Sequence, residues 1–145
     1  MKKYLLFLAF CVSSLSYVSV ANAEISESEL KAFAEKVIAL QAKQDQKGYL
    51  KLIHPQCPLP GKERLKWSFS SKWLTDKPYD IRFPNVTDSY DMTQLVFKVE
   101  PEAAIEIQIW TEDASGETIE LVTGVPVAKH KNQIKIIDYP CFEPK

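Results

Sequence analysis

Leu95-Val96-Phe97-Lys98-Val99, Ile105-Glu106-Ile107-Gln108-Ile109-Trp110, Ile119-Glu120-Leu121-Val122 continuing to Val125-Pro126-Val127, and Ile134-Lys135-Ile136-Ile137 are four runs inside one stretch, Gln94 to Cys141. Their reading decides the fold. Apolar residues alternate with polar ones at period two, which is the pattern of strands with one buried and one wet face. Asp113-Ala114-Ser115-Gly116 is a hairpin turn between the second and third runs, and Lys129-His130-Lys131-Asn132 joins the third to the fourth. The expectation is a four-stranded antiparallel meander. Gly124 and Pro126 inside the third run predict a bulge or bend, and hence a curved sheet.

The chain before this stretch reads as helical. Ser26 with Glu29 is a capping-box pattern, and Leu30, Phe33, Val37 and Leu40 share one face of a helix expected from Ser26 to Lys47, with Gly48 as its stop. A short second helix is expected from Tyr49 to His54, ended by Pro55. Lys62–Thr75 fits two periods. Leu65, Phe69 and Trp73 recur at helical spacing, while Leu65, Trp67 and Phe69 alternate as in a strand; the helical reading is adopted because Leu74 extends that face. Tyr79–Val86 reads as extended, demoted to an edge by Pro84, and Asn85–Thr93 as a polar loop. Helices first and a curved antiparallel sheet second make an α+β roll.

The first residues read differently. Lys2-Lys3, an apolar run from Tyr4 to Val20, and Ala21-Asn22-Ala23 form the pattern of a secretory signal peptide with cleavage before Glu24. Cys11 follows Phe10 rather than a small residue, which argues against a lipoprotein. The expected organisation is a signal peptide over 1–23 and one roll domain over 24–145, located in the periplasm or secreted. Removing two lysines and no acids takes the formal charge from −1 to −3. That balance disfavours nucleic acid as a partner and an anionic membrane surface once the signal is gone.

Cleavage also removes Cys11 and leaves Cys57 and Cys141. An even pair in an exported chain predicts a disulfide between them. A zinc site from His54, Cys57, His130 and Cys141 would compete with that bond and matches no ligand spacing, so neither metal nor cofactor is expected.

Gly48-Tyr49-Leu50, Leu52-Ile53-His54-Pro55 and the strands from Ala104 to Tyr139, following a long first helix, resemble the nuclear transport factor 2-like superfamily, the ketosteroid-isomerase-like roll. The resemblance implies helices on the concave face of the sheet and a pocket between them. It does not select a function, since the superfamily holds isomerases, dehydratases and hydrolases as well as binding domains.

By alternation the concave face should carry Leu95, Phe97, Val99, Ile105, Ile107, Ile109, Ile119, Leu121, Val125, Val127, Ile134 and Ile136. An isomerase of that kind needs a carboxylate base in an apolar cavity with an acid or phenol beside it. The inward set has no carboxylate. The leading expectation is therefore a non-catalytic domain binding an apolar small molecule or a protein partner, with Trp67, Phe69, Trp73, Phe97 and Ile107 lining the ligand site. The alternative is an acid–base enzyme using His54, Asp80 or Asp91 with a tyrosine such as Tyr49; Tyr79 and Tyr90 lie on loops that could also reach a cavity mouth. His54 also has the plainer role of a helix-terminal histidine. A third expectation is an interaction domain using the outer sheet face around Trp110, in its simplest form a homodimer through the sheet.

Overall fold

The computed structural model describes residues 24–145, so the signal-peptide reading of 1–23 lies outside the described residues. Helix α1 spans Glu27–Ala42 and has the expected capping box: the Ser26 side chain accepts from the Glu29 backbone N–H, and the Glu29 carboxylate accepts from the Ser26 backbone N–H at 2.9 Å. Its buried stripe is Leu30, Phe33, Ala34, Val37, Ile38 and Gln41. The helix ends earlier than expected. Gln44 is left-handed (φ 56°), and its side-chain amide donates to the Gln41 and Ser71 carbonyls. Gly48 is no stop but lies within α2, Gln46–Leu50, capped by Asp45. A Cβ at Gly48 would lie 2.5 Å from Asp45 Oδ2 and 2.6 Å from Leu40 Cδ2, so glycine is what lets the two helices close on each other here.

The second helix therefore starts and ends before the expected Tyr49–His54. Lys51-Leu52 is a turn, after which Ile53 bridges Ile136 in parallel, with the Ile136 N–H donating to the Leu52 carbonyl and the His54 N–H to the Ile136 carbonyl. The ambiguous Lys62–Thr75 stretch is both things in turn. Helix α3 covers Lys62–Ser68, and strand β1 covers Lys72–Trp73. The alternating Leu65, Trp67 and Phe69 lie in α3 and at its C-cap, so the helical spacing holds there, while Trp73, expected on the same helical face, lies in β1.

Strand β2 is Asp80–Arg82, α4 a single turn at Val86–Ser89 within the expected loop, and β3 Leu95–Phe97. Then come β4 Ala103–Glu112, β5 Thr118–His130, β6 Gln133–Ile136 and β7 Phe142–Pro144. The main antiparallel sheet runs β1-β4-β5-β6, with β2 also on the outer edge of β4. The fold is an α+β roll on a curled sheet.

Two expectations about the meander are corrected. Leu95–Phe97 does not enter the main sheet, because β1 and β2 already occupy the free edge of β4. It pairs instead with the chain's last strand, β7, in a separate ladder. The bulge expected at Gly124 is absent: β4 and β5 pair in one unbroken register from Ala103↔Val127 to Glu112↔Thr118. The turns are as expected. Asp113 Oδ1 accepts from the Ser115 and Glu117 N–H groups and Gly116 is left-handed, while Lys131-Asn132 (φ 48° and 63°) forms a two-residue hairpin loop.

The core lies where α1 covers β1 and β4. Ile38, Ile105, Ile107 and Ile109 are each at most 1 % exposed, and burial of a side chain this size contributes about 1.5–3 kcal/mol. The expected disulfide Cys57–Cys141 is present and ties the loop after α2 to the start of β7. Among the described residues no helix is long and apolar enough to cross a membrane.

Candidate binding site

Strand β5 is thirteen residues long and β6 only four, so β6 covers β5 only from Val127 to His130. Past Ile136 the chain leaves the sheet, held by one bond from the Ile137 N–H to the Pro126 carbonyl. The unpaired edge of β5 borders a cavity of about 230 Å³. Its other walls come from α1 (Val37, Gln41), from α3 and the segment after it (Arg64, Trp67, Trp73), and from the tail (Ile136, Asp138, Phe142). Leu121, Val125 and Ile136 of the expected concave set line it together with α1, while the isoleucines of β4 are closed into the core.

A polar chain runs along one wall. Asp138, 6 % exposed, follows the last core pair Ile136-Ile137. The Tyr49 hydroxyl donates to its Oδ2 at 2.9 Å. Arg64 Nη2 donates to Oδ1 at 2.9 Å, and the Tyr139 N–H donates to the same oxygen at 2.7 Å. The Tyr49 ring stands edge-on to buried Phe69 at 5.5 Å, and the Arg64 guanidinium lies 4.8 Å from the Trp67 ring centre. Burial, and next the Asp138 charge, push the Tyr49 phenol well above its ordinary range. Both carboxylate oxygens and the one phenolic hydrogen are therefore committed to each other and to Arg64.

Among the described residues, three buried side-chain atoms have no hydrogen-bond partner, Gln41 Oε1, Arg64 Nε and the Tyr90 hydroxyl, and all three belong to residues of the cavity wall. Burial raises the Tyr90 phenol above its usual range, so it keeps its hydrogen at neutral pH. Gly124 makes room for it, since a Cβ there would lie 2.8 Å from the phenol oxygen. That close approach, rather than a bulge, accounts for the glycine in β5.

The residues singled out in the sequence are dispersed. Trp73 and Trp67 line the cavity, but Trp67 is 68 % exposed and forms its rim. Phe69 is buried behind Tyr49, Ile107 lies in the closed core at 0 % exposed, and Phe97 packs on Phe142 in the small ladder at 5.2 Å between ring centres. None of those three lines the cavity, because each spends its surface on packing. Tyr49 does line it. His54 does not; it is buried, its Nδ1 accepts from the Gln56 N–H at 3.2 Å, and its ring stands edge-on to His130 at 5.2 Å. Burial first, then His130, lower its pKa, so it is neutral at pH 7.

Asp80 is exposed and paired with Arg82 on β2, and Asp91 is exposed with its Oδ1 accepting from the Thr93 N–H. Hydrogen bonds from Thr93 hold the Asp91 carboxyl below its usual range. Neither aspartate reaches the cavity. Tyr79 is 40 % exposed. Trp110 is half-buried on the outer face, with Lys77 Nζ 5.5 Å from its ring centre. Cys57 and Cys141, being bonded to each other, are not available as thiolate ligands.

Asp138, Arg64 and Gln41 were missed in the sequence. The inward-facing set was drawn from strands only, and Asp138 sits one residue beyond the last strand's apolar run. Gln41 carried a usable signal: it falls on the stripe of Val37 and Ile38, a polar residue at a core position of α1.

Comparison of the chain with protein-family models, with curated proteins and with solved structures finds no match.

Proposed function

We propose that this protein is a binding domain that takes a small molecule with an apolar body into the cavity at the open edge of β5. The observation that carries the reading is the cavity itself. Val37, Leu121, Val125, Ile136 and Ile137 give it an aliphatic wall, and the exposed rim at Trp67 leaves it accessible. An apolar cavity of about 150 Å³ holds a benzene, so about 230 Å³ has room for one ring and a short substituent.

Binding is favoured over acid–base catalysis by the way the polar groups are spent. A base needs a free lone pair facing the substrate. The one carboxylate on the cavity wall, Asp138, has both oxygens taken by the Tyr49 hydroxyl, Arg64 and the Tyr139 N–H. The roll with helices ahead of the sheet supports a nuclear transport factor 2-like assignment. The disulfide and the Lys2-Lys3 to Ala23 pattern support export to the periplasm or beyond. N-terminal sequencing of the protein from its native envelope should begin at Glu24; a chain beginning at Met1 would sink the export reading.

The binding test uses ethylbenzene, an uncharged single-ring probe. Trp67 and Trp73 line the cavity, so saturable binding should change tryptophan emission and raise the melting temperature, as ligand bound to the native state must. A linear, unsaturable response with no thermal shift would remove the proposal.

A further inference from the structure

We infer that the open edge of β5 pairs with the same edge of a second copy of this chain, antiparallel, across a two-fold axis at Leu121. The inference goes beyond the binding reading above and does not depend on it.

The backbone bonding decides which residues face that edge. The Glu102 N–H donates to the Val127 carbonyl from the β4 side, and the Ile137 N–H donates to the Pro126 carbonyl from the β6 side. Bonding direction alternates residue by residue along an antiparallel strand, and the β4–β5 register is unbroken. Thr118, Glu120, Val122 and Gly124 therefore turn their N–H and C=O groups to the open edge. All four are exposed, and among the described residues no backbone group meets them there. Ile119 is 49 % and Val122 57 % exposed on the two faces of the same segment. Such an edge is a template for another strand, and natural edges are usually blunted by lysine, proline or a bulge. Thr118–Gly124 has none of these.

The order of side chains selects a second copy as the occupant. With Leu121 on the axis, Thr118 of each copy faces Gly124 of the other and Glu120 faces Val122, so all four edge residues exchange both backbone bonds. Moving the axis to Glu120 would set two Glu120 carboxylates directly opposite each other, which is destabilising. Moving it to Val122 would oppose Thr118 with Pro126, which has no N–H and whose carbonyl already accepts from Ile137. The register at Leu121 is free of both faults. It also reaches the cavity. Leu121 and Thr123 line the cavity, and Leu121 and Ile119 of the second copy come to lie opposite them on the same face.

The test is sedimentation of the disulfide-bonded protein between about 1 µM and about 200 µM, in which the mass should rise from that of one chain toward that of two. Val122→Pro removes an N–H that faces only the open edge, so it should abolish the dimer and leave the β4–β5 ladder intact. Two further variants keep every backbone group. Val122→Lys places a cation opposite Glu120 of the other copy and should tighten the dimer about threefold to tenfold, whereas Val122→Glu should weaken it by a similar factor. A single-chain mass at every concentration would overturn the inference. So would a dimer that Val122→Pro leaves intact, which would place the contact elsewhere, or lysine and glutamate variants that shift the affinity in the same direction, which would exclude the register at Leu121.

Discussion

Strands β4 and β5 face each other through ten register pairs, and the same alternation runs along both. Their inward side chains nevertheless meet different fates. On β4, Ile105, Ile107, Ile109 and Thr111 are all at most 1 % exposed. Directly across from Thr111, Ile119 is 49 % exposed, and Leu121 and Thr123 are only half-buried. Only Val125 and Val127, next to β6, are fully covered. Alternation decides which way a side chain points, whereas burial needs a second layer to meet it. Helix α1 packs on β4 and β1, and the part of β5 beyond β6 is left to border the cavity. The closed half of the sheet forms the core, and the open half borders the cavity.

That contrast can be broken in four places. The largest effect should come from the disulfide, which holds the tail along the open edge. Cys57 and Cys141 are 84 residues apart, and a closed loop of that length contributes about 4.5 kcal/mol in the chain-entropy model. The double variant Cys57→Ser, Cys141→Ser should lower the urea-unfolding free energy by about that amount relative to the wild type. A loss below about 1 kcal/mol would mean that β7 and the small ladder hold the tail without it.

Next, Ile109 and Leu121 face each other in the ladder, one in each environment. Ile109→Ala should cost about 3–4 kcal/mol and Leu121→Ala about 1 kcal/mol. Equal losses would show that the cavity wall is as tightly packed as the core, and would end the comparison. Asp138→Asn should cost about 2 kcal/mol, a value reduced because the Arg64 side chain is 32 % exposed and partly hydrated. Tyr49→Phe in the same background should cost less than in the wild type, because the two share one bond; additive losses would place Tyr49 outside the polar chain.

The smallest effect is one of pH. The folded pKa of His54 lies below its ordinary 6.5, so the unfolded state takes up this proton first. Its contribution is complete above pH 6.5 and is lost as the pH falls through the interval down to the folded pKa. One group can supply at most about 1.4 kcal/mol per pH unit. Urea midpoints measured between about pH 7.5 and pH 5 should fall less steeply in His54→Gln than in the wild type. Parallel curves would assign the slope to other groups.

The legibility of this chain follows the same division. The capping box at Ser26, the stripe of α1, the strands from Ala103 to Ile136 and the Cys57–Cys141 bond could all be read in advance. Each rests on neighbours in sequence or on a count with one solution. The partner of Leu95–Phe97 could not be read, because a strand's own pattern does not say which edge is free. The site was legible only in pieces. Of the residues named from the sequence, Tyr49, Trp67, Trp73 and Tyr90 line the cavity, whereas His54, Asp80 and Asp91 lie elsewhere. Asp138 was passed over because it follows a strand instead of lying in one.

By itself, then, the sequence determined the α+β class, the hairpins, the direction in which the alternating side chains of β4 and β5 point and the Cys57–Cys141 pairing. Periodicity, turn chemistry and cysteine number are local or arithmetic constraints, and no distant contact is needed to apply them. Only the tertiary structure decided that β6 stops short of β5, that Asp138 meets Tyr49 and Arg64, and that Gln41 Oε1, Arg64 Nε and the Tyr90 hydroxyl are left without partners. These depend on how far one element overhangs another, which is set by packing between segments as far apart in the chain as α1 and the C-terminal tail.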